Sequence, residues 1–148
     1  MAVSAPVMDA RFVFADDLPL AVQGELHKHL PALGWALPAW VQRVTLYWSL
    51  ADDGETASIE VSYEYRWAAV YLTSKWLQRG CEEQREDLLH ELLHISLGPL
   101  FNYARDTIRL LLDDAPKFQK HAENELRIRH ELATQELTGL LKHFCLPQ

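Results

Sequence analysis

His90, Glu91 and His94 stand in the order H-E-x-x-H, a spacing that suits two imidazoles to one metal ion and a carboxylate to proton transfer. In a helix, where each residue turns by about 100°, positions 90 and 94 lie ~40° apart and one turn removed. Both imidazoles can then reach a single ion. Glu91, on the same side, can take a proton from a metal-activated water without binding the metal itself. Leu88, Leu89, Leu92 and Leu93 point away from that arc and can hold the helix in a core. The chemistry such a pattern serves is zinc-assisted hydrolysis, with Glu91 as general base.

A catalytic zinc normally takes three protein ligands and keeps a fourth position for water, so a third donor must come from elsewhere in the chain. The C-terminal segment offers His121, Glu123, Glu125, His130 and Glu131, far enough beyond His94 for a helix to fold back. Periodicity does not choose among them; Glu123 and His130 lie nearer that segment's apolar stripe than Glu131 does.

The elements that must position these residues are legible in the chain. Asp16-Asp17 before Leu18-Pro19 predicts a helix start, with Leu20, Ala21, Leu26 and Leu30 at near-helical spacing until Pro31 and Gly34. His27 and His29, two apart, point to different sides and are expected on the surface. From residue 43 to 50 the period becomes two, with Val44, Leu46, Trp48 and Leu50 alternating against Thr45, Tyr47 and Ser49. Residues 52–55 read as a turn, and residues 57–66 alternate again, so the two runs predict an antiparallel hairpin. Residues 67–73 form a third β-rich run, with residues 11–14 as a further strand.

Acidic residues Glu82, Glu83, Glu86 and Asp87 then crowd the opening of the motif helix, where they favour the positive end of its dipole. Gly98-Pro99 is expected to stop it near Leu97. A helical stretch to Leu112, a break at residues 113–116, and a long final helix over residues 117–144 complete the order. That helix carries Leu126, Ala133, Leu137, Leu140 and Phe144 on one stripe.

Composition narrows the partners. Residues 1–148 are long enough for one substantial core and are expected to form a single domain. The formal net charge of −7 repels phosphate backbones and anionic membranes, so neither nucleic acid nor membrane is expected as a partner. Residues 1–10 lack basic residues and any long apolar run, and no segment reaches the roughly 20 apolar residues of a membrane span; a cytoplasmic protein is expected. Cys81 and Cys145 have no second pair with which to build a thiolate cluster and read as free packing thiols. Trp35, Trp40, Trp48, Trp67 and Trp76 are expected to cover the sheet or fill the core.

The sequence His90-Glu91-Leu92-Leu93-His94, after a three-stranded sheet and before Glu131-Leu132-Ala133-Thr134-Gln135-Glu136-Leu137 on a second helix, resembles the minimal gluzincin-type zinc metallopeptidases. The small ImmA/IrrE-like zincin domains of bacteria and phages are closest in style, and the likeness covers roughly residues 43–144. It lacks the downstream glycine and histidine that extend the motif in metzincins, and no helix-turn-helix region of recognisable length precedes it. The resemblance implies an α+β, zincin-like fold in which a small, mostly antiparallel sheet of three to four strands packs against the H-E-x-x-H helix and a long C-terminal helix. It implies zinc held by His90, His94 and Glu131, and a protein or peptide substrate added to the sheet edge formed by residues 67–73 or 43–50. Tyr65, Tyr71, Tyr103, Asn102 and Arg105 are unranked candidates for stabilising an oxyanion. The alternative on the same fold is a zinc-containing module that binds a partner protein without cutting it.

Overall fold

In a computed structural model, which describes residues 7–51 and 54–145, every alternating segment becomes a strand. Strands β1 (Phe12–Phe14), β2 (Arg43–Trp48), β3 (Ala57–Ser62) and β4 (Trp67–Leu72) form one sheet in the order β1-β2-β4-β3. β1, β2 and β4 run parallel and β3 is antiparallel to β4. The sheet is therefore mixed rather than mostly antiparallel, and residues 43–50 and 57–66 do not pair as a hairpin.

Connection length explains the difference. Residues 63–66 join β3 to β4 in a tight turn with Arg66 at φ 58°, so these two strands become the hairpin. The eight-residue stretch 49–56 can instead step across an intervening strand, at about 5 Å per strand spacing. Of the expected turn at residues 52–55, Asp52 and Asp53 lie outside the described residues. β4 is buried on both faces through Ala68, Ala69, Val70 and Leu72, as an interior strand must be.

Register aligns the apolar positions in rows. Phe14, Leu46, Val70 and Ile59 form one row, and Phe12, Val44, Ala68 and Val61 another, all facing the helices. On the outer face Tyr47 and Tyr71 stack at 5.3 Å. Helix α1 (Leu20–His29) follows Pro19 with no side-chain cap, so the expected acidic cap is not used. Val22, Leu26 and His29 fall on its inner stripe, which is why His29 is fully buried rather than on the surface; His27 is exposed. His29 Nε2–H donates to Gln84 Oε1 at 3.0 Å. The Gln84 amide donates to Trp76 O and Leu77 O, and the Trp76 indole donates to Gln84 O, tying α1 to the short helix α2 (Ser74–Gln78).

Helix α3 (Cys81–Leu111) does not stop at Gly98-Pro99. Proline removes one hydrogen bond there, but packing spans the break: Leu88, Leu89, Leu92, Leu93 and Ile95 are in the core, and α4 (Pro116–Leu141) lies against α3 on both sides of Pro99. The contacts Arg109–Glu123, His94–Thr134 and Glu86–Lys142 run in opposite directions along the two helices, so they are antiparallel. The stripe expected on α4 is displaced. Ala133, Leu140 and Phe144 are exposed, whereas Thr134 and Thr138 are buried against α3. Their hydroxyls each donate 2.8 Å back to the carbonyl four residues earlier, so small side chains meet α3 with their polar atoms already satisfied.

Trp76 is fully buried and Trp40 and Trp48 pack on the core, while Trp35 is half exposed. Cys81, expected to pack, is an exposed free thiol because it opens α3 at the surface; the Cys145 side chain lies outside the described residues. Among the described residues no helix is long and apolar enough to cross a membrane.

Candidate metal centre

The motif lies in the buried half of α3. Leu88, Leu89, Leu92 and Leu93 face the core, which leaves His90, Glu91 and His94 on the arc turned toward β3 and α4. Close approach of α4 at Thr134 brings Glu131 over that arc. His90 Nε2 and His94 Nε2 are 3.1 Å apart, Glu131 Oε2 lies 3.5 Å from the first and Oε1 lies 3.6 Å from the second. Zinc bonds of about 2.05 Å in tetrahedral geometry imply ligand separations of about 3.3 Å. The three observed distances bracket that value, and two imidazoles with one carboxylate form a donor set that zinc accepts.

Protonation is consistent with ligation. Burial drives the His94 imidazole down to about 4, with His90 and His130 pushing the same way and Glu131 opposing, so it is the free base at neutral pH. Thr134 decides which nitrogen keeps the proton. Its hydroxyl hydrogen is used on His130 O, so toward His94 Nδ1, at 3.5 Å, it can only accept. That contact favours the tautomer with the proton on Nδ1, which leaves the Nε2 lone pair for a metal ion.

Glu91 is pushed up to about 8, first by burial and then by the carboxylates of Glu131, Glu55 and Asp87. Asp87 is itself raised by burial, against the pull of Arg79 3.0 Å away. The His94 imidazole, lowered by burial, lies among the carboxyl groups of Glu131, Glu91 and Asp87, an enclosure that a cation stabilises.

These residues floor a cleft of about 1180 Å³. β3 forms one wall, α4 the other with Arg127, Glu131 and Gln135, and Tyr63, Asn102 and Arg105 close the far end. β3 is the edge strand beside α3; residues 43–50 and 67–73 lie largely in strands interior to the sheet, which overturns the expectation that one of them supplies the substrate edge.

The other candidate third donors are placed differently. Glu123 is held 2.7 Å from Arg109, Glu125 is 3.9 Å from Arg129, and His121 is exposed. His130 is adjacent, its ring tilted 4.9 Å from His94 and stacked on Phe101, with a buried Nε2 that has no partner among the described residues. Of the oxyanion candidates, Asn102 and Arg105 line the cleft. Tyr65 and Tyr103 are exposed and Tyr71 is on the outer sheet face.

Two residues at the site, Tyr63 in the cleft and Thr134 buried behind His94, are not marked as functional by the sequence. Tyr63 shares the phase of Ala57, Ile59 and Val61, which is the signal that could have placed it. Its hydroxyl presses on Gly98, where a side chain would collide with the ring. Thr134, three positions after Glu131, is hidden because a threonine on an amphipathic helix resembles a solvent residue. Comparison of the chain with family models, with characterised proteins and with solved structures finds no match.

Proposed function

We propose that this chain is a zinc-dependent peptidase of the zincin type. The observation that carries the reading is the convergence of His90, His94 and Glu131, whose ligand atoms lie within 4.8 Å of one another at the floor of a cleft walled by a sheet edge. His90, His94 and Glu131 would hold a zinc ion, which would supply Lewis acidity to a water and to a substrate carbonyl.

The chain's own groups do the rest. With a cation held beside it, the raised Glu91 carboxyl would return to its ionised form, in which Glu91, next to His90 and largely shielded from solvent, would take the proton of the attacking water and deliver it to the leaving amine. Thr134 holds His94 in the tautomer that ligates. The open edge of β3 offers backbone groups to an extended peptide, and strand addition there lays the scissile bond across the floor. Tyr63 and Asn102 line the same cleft and are the groups available to donate to a carbonyl oxygen there.

Two variants test this. In Glu131→Gln, zinc per chain after purification without chelators should fall far below the one equivalent expected of the native protein, measured by elemental analysis. Glu91→Gln should keep its zinc and lose cleavage of a casein-derived peptide pool by about a hundredfold or more. A native protein that holds less than about a tenth of an equivalent of zinc in a saturating buffer refutes the metal site. Full zinc with turnover unaffected by Glu91→Gln refutes the role of the base, and full zinc without turnover points to the non-catalytic binding module.

A further inference from the structure

The cleft is electrically uneven along its length. At the end near the start of α3 it carries Glu55, Asp87 and Glu91, with Arg79 engaged by Asp87 at 3.0 Å. At the other end two guanidinium groups enter from different helices, Arg105 from α3 and Arg127 from α4. Among the described residues, neither is held by a carboxylate from another element. Arg105 contacts its sequence neighbour Asp106, at 3.4 Å, and Arg127 contacts the neutral Asn124 Oδ1 at 3.2 Å. Glu123 is held by Arg109 at 2.7 Å, and Arg105 is near enough to add to the lowering of its carboxyl without an ion-pair contact. In a chain of net charge −7, two arginines at one end of the cleft, with Asp106 the one carboxylate within 4.0 Å of either among the described residues, form a local site for an anion. Their planar forks match a carboxylate. The influence of Arg105 reaches the neighbouring Tyr63, whose phenol it pulls down against the dominant upward push of burial.

Position defines the ligand. Arg127 is one helical turn, about 6 Å, from Glu131, and Arg105 is about 16 Å beyond His94 along α3. An extended peptide advances about 3.3 Å per residue. We propose that this end of the cleft is a carboxylate subsite in which Arg105 and Arg127 hold an acidic group of a bound peptide, roughly two to five residues from the metal centre. The group is a Glu or Asp side chain or the terminal carboxylate of the peptide. The inference rests on the peptidase reading for the path of the chain, but its test does not depend on turnover.

Zinc-loaded Glu91→Gln protein is titrated, by fluorescence anisotropy, into rhodamine-labelled decapeptide pools. One pool is C-terminally amidated and carries three Glu, a second is amidated with Gln in their place, and a third is the Gln pool with a free C-terminus. At least one carboxylate-bearing pool should bind about tenfold tighter than the amidated Gln pool, as charge-assisted bonds predict. Whether the Glu pool or the free-terminus pool gains identifies the source. The advantage should vanish in Arg105→Gln/Arg127→Gln, persist in Arg105→Lys/Arg127→Lys, and shrink between 50 and 500 mM salt, a readout that needs no charge-removing variant to fold. Equal affinity for all three pools, no binding at all, or an advantage that survives charge removal or is indifferent to salt overturns the subsite. If the advantage is present but wild type cuts none of the pools, the subsite stands and the peptidase reading fails; if wild type cuts the pools without the advantage, the peptidase reading stands and the subsite fails.

Discussion

Thr134→Val isolates what the interface between α3 and α4 does for the metal centre. Valine keeps the β-branched shape at a position that is fully buried, so packing changes little. The loss is the hydroxyl that accepts from His94 Nδ1–H at 3.5 Å. A buried donor stripped of its acceptor costs about 1 to 3 kcal/mol, and so long a contact belongs at the lower end. Outer-shell partners of metal ligands are worth about 10- to 100-fold in affinity, and the length of this contact again selects the lower end, about tenfold or about 1.4 kcal/mol. Zinc affinity is read by competition with a chromophoric chelator, and the unfolding midpoint of the zinc-free protein is measured alongside it. Thr134→Ser, which restores the acceptor, should recover affinity to within about twofold. If Thr134→Val binds zinc as tightly as wild type, or if the serine variant loses as much as the valine one, Thr134 does not set the His94 tautomer.

Two other outcomes follow from the fold. Gly98→Ala should gain about 1 kcal/mol of helix propensity and lose more, because the new methyl collides with Tyr63 Oη and with the ring carbon bearing it. Urea unfolding should show net destabilisation of about 1 kcal/mol in wild type but stabilisation in a Tyr63→Ala background; stabilisation in both would mean that Tyr63 moves aside freely. Zinc-free protein should lose stability as pH falls below about 6.5, where unfolded histidine takes up protons that the buried imidazoles refuse. Burial lowers His29, His94 and His130 alike, so these three bind more protons unfolded and favour stability that rises with pH, while Glu91, pushed up to about 8, works the other way and offsets part of the effect of the three histidines. His29→Gln should therefore flatten the dependence of the urea midpoint between pH 7 and pH 5, and an unchanged slope would place the acid sensitivity elsewhere.

Alternation along a strand reports which side chains share a face, and in this chain it does so correctly for Val44, Leu46 and Trp48, for Ala57, Ile59 and Val61, and for Ala68, Val70 and Leu72. It is silent about which strand lies beside which. The apolar run from Trp67 to Leu72 carries that information, since a strand covered on both faces has no polar side to show. Gly98-Pro99 misleads for the opposite reason: its local stop chemistry is sound, but α4 packs across it, and Gly98 serves Tyr63 rather than a helix end.

The candidate site divides along the same line. His90, Glu91 and His94 depend only on helical pitch, so their convergence is a local property and legible in five residues. Glu131 depends on how α4 rolls against α3, and hydrophobic content does not predict that roll. An apolar stripe through Ala133, Leu140 and Phe144 would turn α4 by a different amount from one that buries Thr134 and Thr138. Leucines at 134 and 138 would satisfy hydropathy yet hold the helices farther apart. Threonines allow close approach, because each hydroxyl is paired within its own helix and brings no unsatisfied polar atom to the interface. The pair therefore sets both the rotation and the spacing that bring a half-exposed carboxylate within 3.6 Å of two imidazoles, and Thr134 adds the hydrogen bond that orients one of them.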